Sequence, residues 1–152
     1  MKIAVLGYGT VGSGVVEVLD VNQKLIASRA KEKIEVKYVL DLRDFPGDKI
    51  QEKIVHDYEI ILNDPEIGIV VEVMGGVEPA NTFVRKALEA GKSVVTSNKA
   101  LVAKYGSALL KTAREKNVNF LFEASVGGGI PILRALGSSL TGDEIEEIAG
   151  IL

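Results

Sequence analysis

The sequence predicts an α/β fold built on a doubly wound parallel sheet. Short β-branched runs alternate along the chain with longer amphipathic stretches, and the run at 69–71 is continuously apolar, as in a strand covered on both faces. Strands separated by helices require parallel pairing with right-handed crossovers. At 152 residues, 47% of them hydrophobic, the chain can bury the core of one domain.

Each element is placed by the period of its apolar residues and by the residues that end it. The first strand, helix and strand form a βαβ unit. Further along, Pro79 stands where a helix can begin and Gly91 stands where it ends. We predict strands at residues 2–6, 34–40, 53–56, 67–73, 93–96 and 119–123. We predict helices at residues 10–29, 58–62, 80–90 and 99–116.

The composition excludes several classes of protein. Eighteen Lys and Arg against 21 Asp and Glu give a net charge of −3, and with four Phe, four Tyr and no Trp this disfavours a nucleic-acid partner. Because there is no cysteine, disulfides and thiolate metal sites are excluded, and a reducing compartment, the cytoplasm, is expected. The N-terminal apolar run is too short for a signal peptide or a membrane span, so no membrane partner is expected.

The first predicted strand ends in a glycine-rich turn, Gly7-Tyr8-Gly9-Thr10-Val11-Gly12. This G-x-G-x-x-G pattern follows a strand and opens a long helix, which is the setting of a Rossmann-type dinucleotide-binding domain. Gly7 then permits the tight turn, Gly9 lets a pyrophosphate approach the backbone, and Gly12 lets helix and strand pack closely. The amide groups of Thr10, Val11 and Gly12 would bind the phosphates at the helix N-terminus. The alternative is a glycine-rich turn without a ligand.

Asp41 and Arg43 stand at the end of the second predicted strand. In dinucleotide enzymes an acidic residue at this point accepts hydrogen bonds from the adenosine ribose diol. Arg43 could instead bind a 2′-phosphate, which the Asp41 carboxylate would repel. The residues therefore leave the choice between NAD and NADP open. In a third interpretation Asp41 only forms a turn and Arg43 is a solvated surface charge.

Two further segments follow predicted strands, at the edge of the sheet where ligands bind. In Met74-Gly75-Gly76 the glycines allow the backbone to pass close to a ligand. In Ser97-Asn98-Lys99 a cation begins a helix, where it is disfavoured unless an anion lies nearby. We therefore expect both segments to contact cofactor or substrate. The alternative for Lys99 is an ordinary surface lysine.

Two other titratable residues are given structural or surface roles. Glu72 lies within an apolar strand, and we predict that it belongs to a structural network rather than facing the site. His56, the only histidine, is predicted to be a solvated surface residue rather than a catalyst.

Three consecutive glycines lie in the loop Glu123-Ala124-Ser125-Val126-Gly127-Gly128-Gly129-Ile130-Pro131. Backbone oxygens together with one carboxylate suit a hard cation. Alternatively, the loop closes over the nicotinamide.

Taken together, these motifs resemble those of the bacterial homoserine dehydrogenases in order and spacing, over the whole chain. The matching segments are GYGTVGSGV, VVEVMGG, TSNKALVA and FEASVGGGIPI, and SNKA followed by EASVGGGIP is the more specific combination. The resemblance implies an oxidoreductase that reduces L-aspartate 4-semialdehyde to L-homoserine with NAD(P)H, in threonine, methionine and isoleucine biosynthesis. Members carry a dimerisation and catalytic domain after the nucleotide-binding domain, and sometimes a regulatory ACT domain, so a homodimer or tetramer is expected for the full-length enzyme.

The resemblance also implies roles for individual residues. Gly7 to Gly12 would hold the pyrophosphate, with Thr10 and Val11 at its centre, and Lys99 would contact the cofactor near the nicotinamide. Family members often carry Arg-Asp shortly after the second strand, whereas Asp41-Leu42-Arg43-Asp44 is displaced by one residue, which leaves the NADP preference open. The positions whose oxygens would bind a sodium ion are Glu123, Val126, Gly128 and Ile130.

The last residues, 144–152, end on an apolar run without a polar close, which favours a strand cut open and a chain that continues. We expect residues 1–140 to form the NAD(P)-binding domain and 141–152 to begin a truncated catalytic and dimerisation domain. The family's proton-donating lysine and substrate-holding acidic residues would then lie beyond Leu152, so the fragment would be inactive. The alternative function is a stand-alone Rossmann module that senses NAD(H) without catalysis.

Overall fold

The structure, a computed structural model, describes residues 1–149, which form a six-stranded sheet and the helices that flank it. The strands are β1 (Lys2–Leu6), β2 (Glu35–Leu40), β3 (Ile54–Val55), β4 (Ile67–Glu72), β5 (Ser93–Thr96) and β6 (Phe120–Leu121). The helices are α1 (Thr10–Val21), α2 (Gln23–Ala30), α3 (Tyr58–Leu62), α4 (Ala80–Glu89), α5 (Lys99–Glu115), α6 (Glu123–Val126) and α7 (Leu133–Ser139), and a short 3₁₀ helix covers Lys49–Lys53.

All neighbouring strands are parallel, in the order β3-β2-β1-β4-β5-β6. The chain winds outward from β1 to β3 and then crosses to the other side for β4 to β6. Leu6 at the end of β1 lies beside Leu40 of β2 and Glu72 of β4, so these strands end level. Sheets of this kind bind ligands in the crevice above such a switch point. The predicted doubly wound parallel sheet is confirmed.

The core lies on both faces of the sheet. On one face α1 and the 3₁₀ helix bury Val16 and Ile50 against Val5 and Val39. On the other face α3, α4 and α5 pack on the sheet, and their largest buried residues are Tyr58, Ile61, Val84, Leu88, Leu101 and Leu109. Because helices cover both faces, β4 is continuously apolar at residues 69–71, as the sequence predicted.

The predicted helix at 10–29 is two helices, which is a correction. The backbone at Asn22 leaves the helical region (φ −98°, ψ 17°) and ends α1, and α2 begins at Gln23. The side-chain amide of Gln23 donates to Ile34 O at 2.9 Å, which ties α2 to the residue before β2. This tertiary bond fixes the start of α2, which buries none of its side chains.

The C-terminal part differs more from the predictions. The strand expected at 119–123 is only Phe120–Leu121, because Glu123 already begins α6. The terminal strand is wrong for residues 144–149, which form no strand and pair with no neighbour in the described chain; residues 150–152 lie outside it. Within residues 1–149 no helix has the length and apolar character needed to cross a membrane.

Candidate dinucleotide site

The glycine turn joins β1 to α1 and leaves no space for a side chain at two of its three glycines. Gly7 has φ +97°, and a Cβ atom there would lie 3.1 Å from Met74 Cα. A Cβ atom on Gly12 would lie 2.0 Å from Gly7 O, so the first turn of α1 rests directly on the turn before it. Gly9 is different, because a Cβ atom there would meet nothing within 4 Å. Two of the glycines are therefore required by packing, and Gly9 faces open space.

The N-terminus of α1 is free to bind an anion. Gly9 is its N-cap, no side chain caps it, and its first turn contains no acidic residue. Thr10 and Val11 are exposed beside the glycine turn. Helix N-termini carry unpaired amide groups and a partial positive charge, so this one can hold a phosphate.

Asp41 lies directly beside this turn. Its Oδ2 atom accepts a hydrogen bond from Tyr8 N at 2.8 Å. Arg43 donates Nε to Oδ1 and Nη2 to Oδ2, and its own backbone amide donates to Oδ1 at 3.0 Å. The guanidinium of Arg43, together with the two amides, holds the pKa of Asp41 well below its usual range. The two residues that the sequence set against each other thus form an ion pair.

A cleft of about 550 Å³ extends from the glycine turn past Asp41. Apolar residues that were not among the predicted site residues form much of its wall: Leu42, Tyr58, Pro79 and Phe83. The rings of Tyr58 and Phe83 are stacked with centroids 4.2 Å apart, and the Tyr58 hydroxyl donates to Phe83 O. Leu42 is almost fully exposed at the rim. An apolar wall beside Asp41 and Arg43 suits the adenine ring of a dinucleotide.

His56 also lines this cleft. It is exposed, as predicted, but its Nδ1 lies 2.7 Å from Asp41 O and its Nε2 lies 3.3 Å from the Asp44 carboxylate. Its position just after β3, at the carboxyl-end edge, is the signal that could have placed it near the site.

On the other side of the switch point, Met74-Gly75-Gly76 forms the connection after β4. Gly75 and Gly76 have φ of +79° and +72°, the left-handed region that glycine adopts at no steric cost. Met74 N donates to the carboxylate of Glu72 at 2.9 Å, and Asn98 Nδ2 donates to Gly76 O at 2.5 Å. This segment therefore lies against the end of β5.

Ser97-Asn98-Lys99 connects β5 to α5. Asn98 is buried and caps α5, accepting a hydrogen bond from Leu101 N at 3.1 Å. Lys99 is exposed, the first turn of α5 contains no acidic residue, and Lys99 lines a cavity of about 200 Å³ with Ser125 and Val126. The sequence-predicted residues thus occupy one edge of the sheet, but Asn98 is buried and bonds to protein.

The glycine loop after α6 is shaped by Glu123. Its carboxylate accepts hydrogen bonds from Leu133 N at 2.7 Å and Arg134 N at 2.9 Å, so it caps α7. A Cβ atom on Gly127 would lie 2.5 Å from Ile130 O, which shows how tightly the loop turns. Among residues 1–149 no group of three or more His, Cys, Asp or Glu side chains is arranged to hold a metal ion. A cation in this loop would have to be held mainly by backbone carbonyl groups.

The glycine turn, the open N-terminus of α1, the acidic end of β2 and the cleft at the switch point define a dinucleotide-binding domain. Comparison with known proteins then identifies the family: residues 7–123 match the family model "Homoserine dehydrogenase, NAD binding domain", and the chain belongs to that family.

Relatives and solved structures agree with this family assignment. The chain is 45% identical to homoserine dehydrogenase of Synechocystis sp. over 155 residues, covering all of this chain and 35% of the relative, and 42% identical to that of Lactococcus lactis, covering 37% of it. A homoserine dehydrogenase structure from Thiobacillus denitrificans superposes with a TM-score of 0.85 at 41% identity, over 93% of this chain and 33% of that one. A hyperthermophilic archaeal homoserine dehydrogenase in complex with NADPH superposes with a TM-score of 0.73 at 26% identity, over 89% and 47%. The chain spans little more than a third of the curated relatives it matches.

Proposed function

We propose that this chain is the cofactor-binding part of a homoserine dehydrogenase, a cytoplasmic enzyme that reduces L-aspartate 4-semialdehyde to L-homoserine with NADH or NADPH. The observation that carries the proposal is the Gly7 to Gly12 turn, in which an uncapped helix N-terminus opens beside Asp41. The family of the chain and the NADPH complex of the archaeal relative support it.

The chain's own residues bind and orient the cofactor. The amides at the start of α1 hold the pyrophosphate, with Gly9 leaving room for its approach. Asp41 and Arg43 meet the adenosine ribose, and the apolar wall takes the adenine ring. Toward the nicotinamide lie Met74, Gly75, Gly76, Ser97, Asn98 and Lys99. A bound nicotinamide supplies the hydride, while the proton donor and the residues that hold the substrate are expected in the part of the enzyme outside this chain.

Calorimetry with NADH and NADPH on the 152-residue chain tests this function. We expect saturable binding of at least one cofactor and no turnover of homoserine. The matched control is Gly9→Ala, which should bind cofactor poorly. Its methyl group would occupy the space in front of α1 without touching the protein. If neither cofactor binds at millimolar concentration, the proposal is refuted.

We also propose a domain boundary near residue 140. Among residues 1–149 the last helix, α7, ends at Ser139, and residues 141–152 would lead into the catalytic and dimerisation domain of a homodimer or tetramer. Cofactor affinity should therefore be equal in chains of residues 1–140 and 1–152. A large loss on shortening would show that the terminal segment belongs to the binding domain.

We propose a sodium site in the loop after α6. Since the Glu123 carboxylate caps α7, the ligands would be the backbone carbonyls of Val126, Gly128 and Ile130 together with the backbone oxygen of Glu123. The test is the change in amide NMR shifts of residues 126–130 on adding NaCl, with equal ionic strength of tetramethylammonium chloride as control. Identical responses to the two salts would contradict a specific site.

A further inference from the structure

Glu72 is a buried acid without a charged partner in residues 1–149. It is the last residue of β4, and its side chain has no exposed surface. Its Oε1 accepts from Met74 N at 2.9 Å and from Asn98 Nδ2 at 3.4 Å, and its Oε2 accepts from the Thr96 hydroxyl at 2.5 Å. Burying a carboxylate is costly unless hydrogen bonds replace its water, and here neutral donors replace it.

The hydrogen bonds of Glu72 link three segments. The Thr96 hydroxyl, which donates to Glu72, also accepts from Asn98 N at 2.9 Å. Asn98 in turn donates to Gly76 O and caps α5 through Leu101 N. One buried carboxylate thereby couples the end of β5, the Gly75-Gly76 connection and the start of α5 at Lys99.

Two of these segments, the Gly75-Gly76 connection and the start of α5, are the ones assigned above to the nicotinamide half of the cofactor. An apolar residue could fill the same volume, and replacing buried polar groups by apolar ones is often neutral or stabilising. What the carboxylate adds is direction: it accepts from the backbone amide of Met74 in one loop, from the Thr96 hydroxyl at the end of β5 and from the Asn98 side chain in the loop that follows β5. It thus sets the relative position of the two loops.

We propose that Glu72 is a positioning residue for the nicotinamide end of the cofactor, acting through Met74 N, Thr96 and Asn98. It touches no ligand because it is fully buried. The inference rests on the proposed dinucleotide function and goes beyond it in assigning the geometry of one half of the site to a residue outside the cleft. It predicts that loss of the carboxylate affects the nicotinamide half and spares the pyrophosphate turn.

Amide NMR spectra of the ¹⁵N-labelled 152-residue chain test this prediction, with each titration extrapolated to saturation. The probes are NADP⁺ and 2′-phospho-ADP-ribose, which lacks the nicotinamide. In the wild type we expect both to shift the amides of Gly9, Val11 and Gly12, and only NADP⁺ to shift those of Gly75, Gly76 and Lys99. In Glu72→Gln the second set of shifts should fall about threefold or more while the first set remains.

Thr96 provides a milder second test if Glu72→Gln does not fold. Thr96→Val removes the hydroxyl that donates to Glu72 and should reproduce its effect, whereas Thr96→Ser keeps the hydroxyl and should restore the wild-type pattern. Glu78→Gln is the matched control, because that carboxylate bonds only to Asn81 and Thr82 within the described chain.

The outcomes separate this inference from the proposed function. Unchanged shifts at Gly75, Gly76 and Lys99 in Glu72→Gln would overturn it, as would a loss that includes Gly9 to Gly12, which indicates general destabilisation. Wild-type shifts confined to Gly9 to Gly12 with both probes would also overturn it. Absence of shifts anywhere in the wild type, with NAD⁺ as well as with NADP⁺, would refute the dinucleotide function itself.

Discussion

Arg43 holds both carboxylate oxygens of Asp41, with Nε 2.9 Å from Oδ1 and Nη2 3.0 Å from Oδ2. With the amides of Tyr8 and Arg43, the carboxylate accepts four hydrogen bonds, two on each oxygen. A ribose diol would need these same oxygens, so it must displace the guanidinium. A 2′-phosphate would instead meet a carboxylate already neutralised and a guanidinium whose side chain is mostly exposed.

Arg43→Ala should therefore change cofactor preference. The variant loses the cation for a 2′-phosphate and leaves Asp41 as an uncompensated negative charge, so we expect NADPH affinity relative to NADH to fall by about tenfold. Calorimetric titration of both cofactors measures the ratio. Arg29→Ala removes one exposed positive charge elsewhere and should leave the ratio unchanged. A ratio unaffected in Arg43→Ala would place the 2′-position away from this pair.

The same ion pair predicts a pH dependence of stability. Arg43 lowers the pKa of Asp41 in the folded protein, while the unfolded value is about 3.9. Because the pKa of Asp41 is lower in the folded protein than in the unfolded chain, the ionised carboxylate stabilises the folded state at any pH above the pKa in the unfolded chain. This stabilisation is lost as the pH falls below about 4, toward the pKa in the folded protein.

Urea unfolding of wild type and Asp41→Asn at several pH values measures this contribution. The free energy difference between the two proteins should stay constant from pH 7 to about pH 5 and shrink below about pH 4. In Arg43→Ala, a carboxyl-carbon NMR titration should find the pKa of Asp41 raised toward its ordinary value. A difference that narrows between pH 7 and 5 would assign the effect to another group.

Gly9 and Gly12 should respond to alanine in different ways. At Gly12 the methyl group would meet Gly7 O at 2.0 Å, so Gly12→Ala should lose both cofactor binding and about 3 kcal/mol or more of unfolding free energy. At Gly9 the methyl group meets no protein atom, and only the preference for glycine over alanine at a helix N-cap is lost. Gly9→Ala should therefore lose about 1 kcal/mol or less of unfolding free energy yet bind cofactor poorly. Thermal and urea unfolding with calorimetry measure both quantities. Normal binding by Gly9→Ala would move the pyrophosphate away from this turn.

Local chemistry explains why much of the fold was predictable. The strands and helices from Tyr58 to Thr96 begin and end within one residue of their predicted bounds, since Pro79 and Gly91 punctuate the pattern. The glycine turn was predictable because Gly7 and Gly12 each have a separate steric reason. Helix α7 was missed because its cap, Glu123, lies ten residues before it, and α6 was missed because it is a single turn of four residues.

The candidate site was predictable only in part. The sequence placed Asp41 and Arg43 together but treated them as competitors, since their pairing depends on the backbone geometry after β2. Leu42 and Phe83 were missed because an apolar residue has no chemical signature, and only the folded chain brings them to one cleft. Glu72 was interpreted correctly as a network residue, yet its partners at Thr96 and Asn98 come from another strand.

Removing the Glu123 carboxylate should loosen α7 without unfolding the domain. The carboxylate accepts from the amides of Leu133 and Arg134, and loss of a helix cap costs about 1 kcal/mol, whereas α7 buries none of its side chains in the core. In Glu123→Ala, hydrogen exchange of the α7 amides should rise about fivefold, while exchange of the β1 and β4 amides stays at the wild-type rate. Glu146→Ala removes an exposed acid elsewhere in the C-terminal segment. It should change the exchange rate neither of the α7 amides nor of the β1 and β4 amides. Equal protection of α7 in Glu123→Ala and wild type would show that the helix is held by contacts other than this cap, and faster exchange throughout β1 and β4 would show that Glu123 supports the whole domain.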